Sequence, residues 1–447
     1  MKKFSLLFLI SIFFLLGCGT SKTQYKETER MLSQRNFQAA IQQIKAAKED
    51  GKYEKKDRVL YYLDLGMLYH YNGDYQKSNE MLTKAERAIE DLYTKSISKE
   101  IKSFALNDNS KAYSGEDYED IYTNVFMSLN YINMGKYESA MVEARRINEK
   151  INLLMDRYRK AEEEIDVRFS ASALAHYLSL ILYRDEESNF DSARIDAEHI
   201  QKAFERQPDI YKFQTPELPK HSPPPRNKAY LNVVSFAGLG PDKVAKTLRI
   251  QTLQNSAAIV FSKGDERYRE YFSATAFPVP GMPPGYHFKF EFPEIKMREN
   301  PVRKIVLKIN GKPVSKFQRI ENISRVAQRS FEYKLKSIVG KTLARAAVKY
   351  AATVAATEVT KKATGSGGLL GAAMSLGASA AASATEQADL RLSYFFPGNA
   401  YFTETVLEPG EYNIEIVYHR KSGGVWVDKR KIKVSPEKPN IINSFYF

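Results

Sequence analysis

From Gln24 to Gln207 apolar residues recur three or four positions apart, with no proline and little glycine, so the first half of the chain is expected to be helical. The stretch Tyr62, Leu65, Gly66, Tyr69, Gly73, Asp74, Tyr75, Ser78, Leu82 and Ala85 falls on the tetratricopeptide pattern, in which small residues let two helices approach. Ala40, Ser78, Ala140 and Ala193 occupy equivalent places in four such units, 38, 62 and 53 residues apart, which makes the array degenerate and interrupted. Stacked helix pairs of this kind offer a concave surface to a protein or peptide; equally, they can be a private scaffold for the rest of the chain.

Past residue 207 the period changes. Pro208, Pro216, Pro219 and Pro223–Pro225 mark a linker or extended strap over 208–226. Short β-rich runs follow at Ala229–Ala237, Ala257–Phe261 and Tyr286–Phe292. Asn310-Gly311, between Arg303–Ile309 and Lys312–Phe317, predicts a hairpin, because this dipeptide tolerates positive φ. Gly238, Gly240, Pro241 and Lys243 lack the Gly-Lys-Ser/Thr ending of a phosphate loop and read as a strand-to-helix turn. Further strands are expected at Leu392–Phe396, Ala400–Leu407, Tyr412–Tyr418, Gly424–Val434 and Ile441–Phe447, paired with those before residue 320.

Between the two groups of strands, helical character returns at about residue 323, and Ala363–Thr385 carries no charge. Its alanine, glycine and serine content gives little apolar transfer energy, and Gly371, Ser375, Ser379 and Ser383 repeat every four residues. A helical hairpin packed on its own protein, an oligomer contact and a membrane insertion are the three readings. The expected architecture is multidomain α+β: a helical tetratricopeptide-like array over 18–207, the proline-rich linker, and an antiparallel β-sandwich-like domain over 227–447 interrupted by the helical hairpin at about 323–390.

The amino terminus changes the setting. Lys2 and Lys3, the apolar run Phe4–Leu16 and Gly17 form a secretory signal over 1–17, too short to span a bilayer. Leu15-Leu16-Gly17-Cys18 resembles the bacterial lipobox, which implies lipid on Cys18, the chain's one cysteine. Several acyl chains make such an anchor effectively permanent. No aspartate follows Cys18, so the outer membrane, facing the periplasm, is the expected location. The net charge of +14 is spread along the chain and fits a solvated surface, and an exported protein has no nucleic acid to meet.

Little catalytic chemistry is visible. His70, His176, His199, His221, His287 and His419 are scattered singly in the sequence, without HExxH or GxSxG, so no catalytic residue, metal or cofactor is expected. Asn107-Asp108-Asn109, followed by Tyr113 and Gly115, alternates turn formers with aromatics and is the candidate interaction loop.

Three separated stretches, Asn107–Asn109 with Tyr113 and Gly115, Gln387-Ala388-Asp389 with Arg391, and Leu407 with Pro409, Gly410 and Tyr412, together resemble an uncharacterised family of Gram-negative envelope lipoproteins with a repeat-bearing helical N-terminal half. The family carries an aromatic soon after the arginine, where this chain has Ser393 and Tyr394. The resemblance implies export, the lipid anchor and the two-part layout, and brings no activity or substrate. The expected function is a non-enzymatic, membrane-anchored adaptor or scaffold for an envelope protein. The alternative is an oligomeric structural or pore-associated subunit assembling through residues 363–385.

Overall fold

A computed structural model describes residues 23–97, 111–160, 169–184, 189–263, 270–278, 287–332, 334–335, 338 and 388–447. Cys18, Asn107–Asn109 and the alanine-rich stretch Ala363–Thr385 lie outside the described residues. The protein is a mixed α+β fold, with helices in its N-terminal half and sheets beyond.

The helices are α1 (Thr23–Ser33), α2 (Phe37–Glu49), α3 (Arg58–Asn72), α4 (Tyr75–Ile97), α5 (Asp117–Asn133), α6 (Tyr137–Lys160), α7 (Ala173–Arg184) and α8 (Phe190–Arg206). Each packs on the next; the tightest pairs are α3 with α4, α5 with α6 and α7 with α8, while α1 meets α2 about as closely as α2 meets α3. Small residues make those contacts possible. Gly66 of α3 lies so close to α4 that a Cβ there would stand 2.5 Å from Leu82 Cδ2, and Ser78 Oγ donates to the Gly66 carbonyl at 2.7 Å. Ser128 Oγ makes the same kind of bond to the Ala140 carbonyl, 2.8 Å away, between α5 and α6. Because Leu82 is fully buried, Gly66→Ala is expected to overpack this crossing. The gain in helix propensity is about 1 kcal/mol, so a net loss of roughly 1–2 kcal/mol should appear as a lower thermal midpoint.

The strands are β1 (Ala229–Leu239), β2 (Asp242–Leu253), β3 (Ser256–Lys263), β4 (Glu270–Pro278), β5 (His287–Lys296), β6 (Val302–Ile309), β7 (Lys312–Lys316), β8 (Gln318–Glu321), β9 (Pro397–Leu407), β10 (Gly410–Arg420), β11 (Val425–Val434) and β12 (Asn440–Tyr446). They form sheets of order β12-β1-β9-β8, β11-β10-β6-β7 and β4-β3-β2-β5. Strands after residue 396 pair with strands before residue 322: β9 with β1 and β8, β10 with β6, and β12 with β1. The β6–β7 turn places Asn310 and Gly311 at φ 50° and 79°, the positive values their sequence predicts.

Strand β1 is buried along its whole length because both of its faces are covered. Alternate residues of a strand point to opposite sides. Leu231, Val233 and Ala237 join Ile305 and Leu307 of β6 and Ile414, Ile416 and Tyr418 of β10 in one apolar cluster. Val234 and Phe236 face the other way, into a larger cluster that runs from Tyr25 to Phe445 and takes in all the helix pairs. The proline-rich stretch 208–226 lies against both halves: Arg184 Nη1 donates to the Lys220 carbonyl at 2.6 Å, and Glu217 N–H to Gln318 Oε1 at 2.8 Å.

Several expectations need correction. Gly238–Lys243 connects strand to strand, since β2 begins at Asp242 and pairs with both β3 and β5. The strand pairing is not wholly antiparallel, because β12 runs parallel to β1. Leu392–Phe396 is not a strand: the Ser393 and Tyr394 N–H groups donate to carboxylates, and the Phe395 and Phe396 carbonyls accept from the Tyr71 hydroxyl and the Gly240 N–H. Among the described residues, no helix is long and apolar enough to cross a membrane.

Candidate functional site

The candidate site gathers around the start of α5, where the chain re-enters the described fold at residue 388. Gly115, at φ +80°, turns the backbone into Glu116, and Glu116 and Glu119 close a capping box over the first turn of α5. Tyr113 is buried; its hydroxyl donates to Glu119 Oε2 at 2.6 Å and its N–H to the Lys56 carbonyl at 2.8 Å. Of the candidate interaction loop, Tyr113 therefore faces inward and Gly115 is half-buried.

The segment after residue 388 threads into this setting. Arg391 is buried, grips both carboxylate oxygens of Asp389 through Nε and Nη2 at 2.8 and 2.6 Å, and reaches Asp57 Oδ1 through Nη1 at 2.9 Å. Its guanidinium lies 5.3 Å from the centre of the Tyr113 ring. Two motifs that sequence alone could only place side by side in a list are thus in contact. Ser393 N–H donates to Glu119 Oε1 at 2.5 Å, and Ser393 Oγ and Tyr394 N–H donate to Asp64 Oδ1 at 3.0 and 3.1 Å. Asp64 Oδ2 accepts the hydroxyls of Tyr25 and Tyr53, each at 2.8 Å. Tyr394 stacks on Tyr25 at 4.6 Å and carries Arg298 on its ring at 3.8 Å.

The other side of the 339–387 segment is tied to the same place. Lys334 Nζ pairs with Asp117 at 2.7 Å and Glu116 at 3.6 Å, while Lys243 pairs with Glu116 and donates to the Arg391 carbonyl. Burial pushes the Asp64 carboxyl up to about 6, opposed by its bonds to Tyr25 and Tyr53. Burial likewise raises Glu119 to about 7, against the pull of Tyr113 and the Glu116 N–H. Carboxylates so surrounded act as fixed acceptors that hold an irregular segment in a helical interior, where unpaired backbone groups would otherwise be costly.

Comparison with protein-family models, curated proteins and solved structures found no match.

A second cluster lies on the last helix pair. His176 of α7 and Asp196 of α8 are buried, with Nδ1 and Oδ1 2.7 Å apart, and the His199 ring stands 4.7 Å from that of His176. Two of the six histidines that read as scattered singly, His176 and His199, come together here. The available signal was the i, i+3 spacing of Asp196 and His199, which puts both on one helix face; what the sequence withheld was the facing His176. Burial, and then His176 beside it, lowers the proton affinity of His199.

Proposed function

We propose that this chain is an envelope lipoprotein, anchored by lipid on Cys18, that works as a non-enzymatic scaffold. In this reading the four helix pairs are a tetratricopeptide-like array, and the two sheets that share the β1, β6 and β10 cluster are a sandwich-like unit. One observation carries it: the first helix of every pair is covered by the chain's own C-terminal half, either its strands or the irregular segment 388–396. Tyr25 of α1 stacks on Tyr394, and Tyr71 of α3 donates to the Phe395 carbonyl at 2.7 Å. Phe126 of α5 meets Phe236 at 5.2 Å, and Tyr177 of α7 meets Phe402 at 4.6 Å. A face filled in this way supports the private-scaffold reading over a peptide held in a groove. The array's task is then to brace the sheets and both flanks of residues 339–387 for an envelope partner that docks elsewhere.

The second reading, a homo-oligomeric subunit assembling through residues 363–385, is favoured by the pinning of Lys334 and Arg391 to one place. Native mass spectrometry of protein extracted in detergent separates the two. A monomer carrying one unrelated protein is the expected result, a homogeneous oligomer supports the second reading, and a bare monomer from cross-linked cells removes both. Cys18→Ser is expected to abolish the lipid-modified amino terminus and release the protein from the membrane fraction; an unlipidated wild-type chain would refute the anchor.

A further inference from the structure

We propose that His176, Asp196 and His199 form a binding site for a divalent transition ion of the zinc class, tying α7 to α8. One ligand atom from each residue lies within 4.8 Å of the others. Two imidazole nitrogens and a carboxylate oxygen are the donor set of an open three-ligand zinc site, with the fourth position left for water or an anion.

Two further observations separate this from an ordinary histidine–aspartate hydrogen bond. Asp196 is 7 % exposed, yet its Oδ2 is a buried oxygen with no hydrogen-bond partner. Buried polar atoms are nearly always satisfied, and a cation is one of the things that satisfies them. The cluster also opens on a cavity of about 450 Å³, lined on other sides by Asn148, Asn152, Lys202 and Arg206. There is room for a metal and a fourth ligand, and the two cations make an anionic fourth ligand, such as hydroxide, the better electrostatic fit.

The geometry is close to that of the loaded site without being identical to it. Tetrahedral zinc ligands at about 2.0 Å sit roughly 3.3 Å apart. Loading therefore exchanges the hydrogen bond between His176 Nδ1 and Asp196 Oδ1, now 2.7 Å long, for metal bonds, with Asp196 turning its unpartnered Oδ2 to the ion and His199 drawn in. His199 is partly exposed and free to make that movement. Because the ligands come from both helices of the last pair, occupancy should stiffen that pair against unfolding.

The test uses the full chain, extracted in detergent, without a histidine tag and stripped by chelator. Zinc titrated by calorimetry is expected to bind at one ion per chain, and cobalt to give the intense visible absorption of a tetrahedral site. His199→Ala should weaken zinc binding about 100-fold or more, beyond the 10–100-fold that loss of an outer-shell partner costs. His419→Ala, on β10, should leave it unchanged. Should His199→Ala fail to fold, the cobalt spectrum of the wild-type chain decides. Absence of one-to-one binding, equal affinity in His199→Ala, or only the weak spectrum of six-coordinate cobalt would overturn the proposal.

Discussion

Arg391→Ala is expected to lower the unfolding free energy by about 3–5 kcal/mol, seen as a lower midpoint in urea. The cost does not come from the ion pairs as such. Desolvating a guanidinium and two carboxylates offsets much of what their attraction contributes, and an apolar replacement of the whole set could be neutral. Removing the arginine alone leaves Asp57, whose side chain is 5 % exposed, and Asp389 without their cation. Arg391→Lys should recover a fraction only, since an ammonium cannot bond Asp389 through two parallel N–H groups and reach Asp57 as well. Combining Arg391→Met with Asp57→Asn and Asp389→Asn should recover more than Arg391→Lys does. A variant Arg391→Ala as stable as the wild type would mean that the segment 388–396 is not held by this contact.

Stability is expected to fall as pH rises from about 5 to 8, unlike that of most proteins with ionised carboxylates in surface pairs. Burial raises Glu119 and Glu321 to about 7 and Asp64 to about 6. Glu321 accepts from Ser172 Oγ, Leu174 N–H and the Tyr211 hydroxyl, which oppose that rise. A carboxyl raised in the folded state holds its proton more tightly there than in the unfolded chain. Its contribution is thus fully present below the unfolded pKa and lost as pH rises through the folded one. His70 works in the opposite sense: burial lowers it to about 4, so it stabilises above its unfolded value and loses that contribution as pH falls toward 4. The three carboxyls outweigh His70, and His199 and His419, lowered too but more exposed, oppose them weakly; the net gain on acidification from 7 to 5 is on the order of 2–4 kcal/mol. Urea midpoints across this range test it. Glu119→Gln with Glu321→Gln should flatten the curve, and a wild-type midpoint that rises from pH 5 to 8 would refute the assignment.

The helical half was legible because α3, α5 and α7 bury nearly every side chain while their partner helices keep a polar face, and that contrast survives in the spacing of Tyr62, Leu65, Gly66 and Tyr69. Strand β1 was legible because Tyr230, Leu231, Val233, Val234 and Phe236 make a short β-rich run. Strand β2 was not, since Asp242, Lys243, Lys246 and Arg249 interrupt any alternation. The run Leu392–Phe396 has strand composition, and what decides its conformation is the set of acceptors Asp64 and Glu119, both remote in sequence. Those two carboxylates went unremarked because an acid in a helix ordinarily belongs to the wet face. Asp64 did carry a warning: it stands inside Leu63-Asp64-Leu65-Gly66, on the side of α3 where water is least expected. Tyr113 and Arg391 stand in separate stretches of the sequence, and their contact depends on a three-dimensional closure that no local pattern encodes.

The parallel strand β12 sets the order of folding. Arg35 Nη1 donates to the Phe445 carbonyl at 3.1 Å, a bond between residues 410 apart in sequence. Phe445 also packs against Phe37 and Tyr71, so the first two helix pairs wait on the last strand for part of their burial. Loop closure grows only slowly more costly with length, but contacts this remote form late and make folding slow. A chain synthesised from its amino terminus presents its helices long before the strand that completes them. Until residue 445 is available, those helices stay short of their full core, because Phe445 supplies part of the burial of Phe37 and Tyr71.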